Sequence, residues 1–388
     1  MFGSRDSTNT KITEIIGEPN YHPNPPVPNG KGLISIPSGT TTVDVKLISP
    51  VKFGPADLSR LMQPDVPFLE TFETIPSFSF LLEHPSGKKV VWDLGVRHDY
   101  MNSALKVREY IANSGYDIGV KGHVAGILRE HGVDLSKVEA VIWSHWHWDH
   151  VGDPATFPKS TKLIVGPGFK ELLLPGAPTN PKSPISESAW HGRELFELDF
   201  KQPDTIRIGQ FPAIDYFGDG SVYLLNSPGH AVGHLCALVR TTINPDTFIF
   251  LGGDVCHYPG IMRPSIHLPI PKEISPHPVL PHSSASFCPG HAFEELQTSR
   301  GRKADDTLYD MGFGYDIALA TDTVKKLQEV DVQDNVFVII AHDVHVDRIV
   351  DHFPKSLNEW KNRGWGEQAR WRWLQDLEGY WKSKGLLE

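Results

Sequence analysis

Cysteine is scarce. The 388-residue chain has three, Cys236, Cys256 and Cys288. They are too scattered for a disulfide framework, and none sits in a CxxC pair that would bind structural zinc or cycle redox equivalents. They read as buried thiols. Long apolar runs are also lacking, and no stretch approaches the roughly 20 uninterrupted apolar residues that span a bilayer. The opening Met1-Phe2-Gly3-Ser4-Arg5-Asp6 has no basic-then-apolar signal pattern, so no membrane is expected as a partner and the cytoplasm is the expected location. Basic clusters are missing too: the net charge is −10 and no Lys/Arg run interrupts it. Phosphate recognition needs clustered cations, which excludes nucleic acid from the expected partners.

The composition is 39 % hydrophobic, enough for a sizeable core. Residues 1–40, rich in Pro, Gly, Asn and Ser, read as an N-terminal arm. Short β-branched and aromatic runs follow at 43–49, 78–84, 89–94, 140–144 and 163–166, bounded by Gly, Pro or Asp as strands are. Helical periods lie between them at 104–114, 124–131 and 169–174. A second set of strands is expected at 213–217, 222–225, 235–240, 248–251 and 336–340, with helices at 317–330 and about 365–384. Two successive strand sets with interspersed helices predict an α/β fold in which two sheets pack face to face and helices cover the outer faces. The main domain is placed at 41–350. An insertion at about 258–301, with eight prolines from Pro259 to Pro289 and His267, His277, His282 and His291, is expected near the mouth of a site. A helical tail, 351–388, is expected to pack on the domain. Its tryptophans, Trp360, Trp365, Trp371, Trp373 and Trp381, form no single stripe, so they are expected to face the core or a partner subunit, and a homodimer is one assembly this allows.

Histidine is the abundant exception, with nineteen residues. His145, His147, Asp149 and His150 directly follow the apolar strand Ala140-Val141-Ile142-Trp143. A single histidine at a strand end needs no function. Three with an aspartate inside six positions have the imidazole and carboxylate donors of a catalytic divalent-metal site.

Such an HxHxDH segment after a strand resembles the first metal motif of the metallo-β-lactamase superfamily. The family's later motifs have matches in order: Ser227-Pro228-Gly229-His230-Ala231-Val232-Gly233-His234, then Phe248-Ile249-Phe250-Leu251-Gly252-Gly253-Asp254, then Val336-Phe337-Val338-Ile339-Ile340-Ala341-His342-Asp343. The resemblance covers about residues 42 to 345 and implies an αββα sandwich of two mixed sheets. It implies that His145, His147 and His230 hold one metal and Asp149, His150 and His342 a second, with Asp254 bridging. The metals would be two divalent ions, zinc first, with Mn²⁺, Fe²⁺ or Co²⁺ compatible with the same donors. Asp93, in Val90-Val91-Trp92-Asp93, matches the family's first motif and would support the site through a ligand; His234 would do the same, and His345 is expected in solvent or behind the ligands.

The chemistry implied is hydrolysis by a hydroxide bridging the two ions, with Asp149 carrying the proton to the leaving group. Asp254 stands where many β-lactamases of this fold have Cys, and His147 where diiron flavoproteins have Glu, which argues against both activities. Ser144, the SPGHxxGH turn and His342-Asp343 look more like N-acyl-homoserine lactonases than hydroxyacylglutathione thioesterases. The expected substrate is therefore a small lactone or carboxylic ester. A thioesterase of the same fold, of the hydroxyacylglutathione or polyketide kind, or a non-catalytic metal-binding protein are the alternatives. In the lactonases a Tyr commonly lies three residues beyond the bridging Asp. Here His257 holds that position and Tyr258 follows, so either is a candidate for the carbonyl-oxygen donor.

Overall fold

Alternation along a strand decides which layer each side chain joins. In Val336–Ile339, Phe337 and Ile339 are buried with Val43, Phe80, Trp92 and Ile249, whereas Val336 and Val338 are buried with Phe250, Leu327 and Trp373. Thr247–Leu251 repeats the pattern, Ile249 and Leu251 facing one cluster and Phe248 and Phe250 the other. A strand apolar on both faces must lie between two layers. The computed structural model, which describes residues 34–275, 277–280 and 286–388, has that arrangement.

The first sheet contains Asp44–Gly54 (β1), Ile75–Glu83 (β2), Lys89–Trp92 (β3), Asp117–Val120 (β4), Val138–Ile142 (β5), Lys162–Val165 (β6) and Leu195–Glu197 (β7), in the order β7-β6-β5-β3-β2-β1-β4. The second contains Ile206–Ile208 (β8), Phe211–Asp215 (β9), Val222–Asn226 (β10), Leu235–Thr242 (β11), Thr247–Leu251 (β12) and Val336–Ile339 (β13), in sequence order. Both are mixed: β3, β5, β6 and β7 are mutually parallel neighbours in the first, and β12 and β13 in the second. The inner faces form one core through Leu47, Phe78, Phe80, Trp92, Ile142, Leu224, Leu235, Ala237 and Ile249. Each of the larger side chains contributes about 1.5–3 kcal/mol relative to exposure. Helices Val124–Glu130 and Phe169–Leu173 cover the first sheet's outer face, and Ile317–Asp331 covers the second's. This is the αββα sandwich of two mixed sheets that the resemblance implies.

Two expectations are altered. The tail is not one helix but three short pieces, Trp365–Arg370, Arg372–Leu377 and Glu378–Ser383. Its tryptophans cannot all face one way along a straight helix, and the chain turns so that each is buried. Trp360 and Trp365 close the core between the sheets, while Trp371, Trp373 and Trp381 join the core outside the second. All five are buried within this chain, so they offer a partner subunit nothing. The described part of the insertion also packs into that outer core, through Ile261, Met262, Ile274, Phe287, Phe293 and Leu296, with Arg263 paired to Asp331. Finally, Cys288 is exposed; only Cys236 and Cys256 are buried.

Of the arm, only residues 34–40 are described; His282 and most of the arm lie outside the described residues. Among the described residues no helix is long and apolar enough to cross a membrane.

Candidate metal centre

Strand direction brings the motifs together. Because β3 and β5 are parallel neighbours, their carboxyl ends put Asp93 beside residues 144–150. In the second sheet β10 and β12 each run antiparallel to β11, and β12 runs parallel to β13, so the carboxyl ends of β10, β12 and β13 all lie at one edge. His230, Asp254 and His342 follow those three ends. Leu235 N–H donates to Ser144 O at 2.7 Å and joins the two edges.

Two groups of donors result. Atoms of His145, His147, His230 and Asp254 lie within 4.8 Å of one another, as do atoms of Asp149, His150 and His342. His230 Nε2 is 3.1 Å from His145 Nε2 and 2.9 Å from His147 Nδ1. Asp254 faces both groups. Its Oδ2 is 3.5 Å from His230 Nε2 and 3.8 Å from His145 Nε2. Its Oδ1 is 3.2 Å from His150 Nε2 and 3.1 Å from His342 Nε2.

Hydrogen bonds behind the imidazoles fix which nitrogen carries the proton. Asp93 accepts from Ser144 N–H and Ser144 Oγ–H, each at 2.6 Å, and from His150 Nδ1–H at 2.9 Å. With its own proton given to Asp93, Ser144 Oγ can accept from His145 Nδ1–H at 3.1 Å. His342 Nδ1–H donates to Pro76 O at 2.7 Å. With those protons on Nδ1, all three rings turn Nε2 into the cluster, the nitrogen that the neutral ring would offer a metal. His150 Nε2 and Asp254 Oδ1 are buried without a hydrogen bond. Such orphans are costly in a low-dielectric interior, and a divalent cation would satisfy them. The residues fit a metal.

The electrostatics divide the groups. Burial and neighbouring imidazoles push His145 and His230 well below the usual histidine range, and burial takes His147 to about 3, so all three are neutral donors at neutral pH. Burial acts the same way on His150 and His342, but the Asp254 and Asp149 carboxylates outweigh it and raise both. Burial raises Asp149, whereas His150 and His342 hold Asp254 well below the carboxylate range against burial.

The supporting residues are placed with equal care. His234 Nε2 accepts the Asp254 N–H at 3.0 Å while its Nδ1 faces Ser227 O, also at 3.0 Å, which aims the Asp254 loop. Asp93 has a φ of 53°, a strained backbone maintained by its three hydrogen bonds. His257 comes to the cluster: its Nε2 is 3.5 Å from Asp254 Oδ2, its ring 4.8 Å from that of His230, and burial lowers it to about 4. Tyr258 does not. Its backbone is extended, φ −154° and ψ 141°, so successive side chains point to opposite sides. Its hydroxyl donates to Asp376 Oδ2 at 3.0 Å and Trp373 O at 3.1 Å in the tail. Tyr258 is thus removed from the candidate donors. His345 is neither in solvent nor behind a ligand, but buried against Asp376 at 2.7 Å. His267, His277 and His291 join no donor group. Sequence reasoning missed Phe313, whose ring lies 5.7 Å from His230, 5.8 Å from His257 and 5.9 Å from His147. Only the flanking glycines, Gly312 and Gly314, hinted at a chain path close to other backbone.

The model of the metallo-beta-lactamase superfamily matches residues 73–237. Gamma-lactamase FDB1 of Fusarium pseudograminearum is 43 % identical over 352 residues, covering 89 % of this chain and 84 % of that protein. Metallo-hydrolase mfmC of Annulohypoxylon moriforme is 39 % identical over 359 residues, covering 91 % and 92 %. Among solved structures, a mutant of AiiA from B. thuringiensis with N-decanoyl-L-homoserine bound at its active site superposes with a TM-score of 0.52 at 17 % identity, covering 82 % of this chain and 100 % of that one. At that identity the likeness shows the fold alone.

Proposed function

The chain belongs to the metallo-beta-lactamase superfamily and is a metal-dependent hydrolase, and from that premise we propose that it opens small cyclic carbonyl compounds, γ-lactams and lactones. The observation that carries this reading is the position of Asp254, one oxygen towards each donor group, with His257 beside it. His145, His147 and His230 would hold one divalent ion and Asp149, His150 and His342 the other, with Asp254 shared; zinc suits these donors. When bound, such a pair lowers the pKa of water and polarises a carbonyl oxygen. The neutral His257 offers an N–H to that oxygen as charge develops on it. Asp149 takes a proton from the attacking water and delivers it to the departing ring nitrogen or oxygen. Water adds to the carbonyl carbon, the ring C–N or C–O bond breaks, and an amino or hydroxy acid leaves.

The cyclic amide is favoured by the 43 % identical relative that is named a gamma-lactamase. The thioester alternative draws no support from the relatives described. Metal-loaded protein, with about two ions per chain, should turn over a γ-lactam and a γ-lactone, and chelation should stop both. Full activity after chelation would refute the reading, and turnover of thioesters far above both rings would replace it.

A further inference from the structure

Phe313 is a large apolar side chain left 38 % exposed beside a metal-ligand cluster. It touches three imidazoles at once, His147, His230 and His257. Its position is built in rather than incidental. Gly312 N–H donates to Leu61 O at 2.9 Å, Tyr315 N–H to His230 O at 2.8 Å and Asp316 N–H to Gly229 O at 2.9 Å, so the segment carrying Phe313 is clamped to the loop that carries His230. The fit allows no spare volume: a Cβ on Gly229 would come within 2.3 Å of Ala320 N, and one on Gly314 within 3.3 Å of His230 Cα. Tyr315, Ile317 and Leu319, which follow Phe313 in the chain, are exposed as well. Across the cluster, Phe53 lies 5.9 Å from His342. The donor groups therefore have an aromatic ring on two sides, Phe313 against His230 and Phe53 against His342.

We propose that Phe313 is a specificity-determining wall that receives an apolar substituent or fused apolar ring of the substrate. The site then takes cyclic carbonyl compounds carrying an apolar group of about phenyl size in preference to unsubstituted ones. This rests on the hydrolase reading of the same site and deepens it. The physical reason is that a ring laid on Phe313 removes from water both its own face and an exposed face of the protein, with no polar group desolvated.

The test compares two carboxylates that share the polar end of a ring-opened product, acetate and phenylacetate, as ligands of the metal-loaded protein measured by calorimetry. Wild-type protein should prefer phenylacetate by about tenfold or more. Phe313→Leu should retain part of that preference, and Phe313→Ala should reduce it to about twofold, following the apolar area presented. The same preference in all three proteins would overturn the proposal. So would equal losses for both ligands, which would make Phe313 only a support for the imidazoles. Failure to turn over any cyclic carbonyl, with the graded preference intact, would sink the reaction and leave the wall. Good turnover with a flat preference would sink the wall and leave the reaction.

Discussion

His257 and Tyr258 are consecutive, yet they belong to two regions built by different rules. His257 faces a polar cluster at the edge of the two sheets; Tyr258 faces an aromatic layer formed by the insertion, the tail and the outer face of the second sheet. The cluster is assembled from short motifs at strand ends, and the rings of His145, His150 and His342 are each fixed by a directional hydrogen bond. The layer is assembled from contacts between distant segments; the Tyr258 hydroxyl reaches a residue 118 positions away. Its stability comes chiefly from apolar area, which has no direction. Chemistry and stability are thus separated by one peptide unit.

The largest effect that would test this separation is His147→Ala, which removes a donor from the three-imidazole group. kcat/KM for ring opening should fall by roughly a thousandfold or more, while urea unfolding of the metal-free protein stays close to wild type. A large loss of metal-free stability would break the comparison from the polar side. Trp373→Ala acts on the other region. Deleting this fully buried indole should cost about 3–5 kcal/mol in denaturant unfolding, with the metal content of the folded fraction retained. Loss of metal at full stability would show that the layer shapes the cluster directly. The smallest change, Tyr258→Phe, removes the hydroxyl bonded to Asp376 and should cost about 1–3 kcal/mol. Its kcat/KM should remain within about twofold of wild type, because the hydroxyl points away from the donors. A hundredfold fall would restore Tyr258 as the carbonyl-oxygen donor.

The two regions also differ in how far they could be read from sequence. The inner strands of both sheets were legible because alternation and Gly or Pro boundaries are local signals, and the motifs ending at His150, His230, Asp254 and His342 each follow such a strand; the short edge strands Asp117–Val120, Leu195–Glu197 and Ile206–Ile208 were not, being too brief to show a period. The choice between His257 and Tyr258 was not legible, because it depends on the turn the chain makes through Gly253, φ 51°, after the strand ending at Leu251. The tail was misread as a continuous helix because local helical propensity there is strong, whereas the breaks arise from the separate burial sites of Trp365, Trp373 and Trp381. Phe313 had no local signal beyond its flanking glycines, Gly312 and Gly314. Its meaning depends on backbone bonds to His230 and Gly229, more than eighty positions earlier in the chain.

The donor cluster takes His145, His147, Asp149 and His150 from one sheet's edge and His230, Asp254 and His342 from the other's, and it is tied across by Leu235 N–H to Ser144 O and His342 Nδ1–H to Pro76 O. In mechanical terms this edge is a row of rivets through two plates. Between the plates away from that row, the packing is chiefly of apolar side chains such as Phe80, Leu224 and Ile249, with scattered polar ties such as Tyr216 to Glu139 and His84 to Asp219. Sliding one plate over the other must shear several directional bonds at the riveted rim together, so the rim helps to fix the alignment of the sandwich.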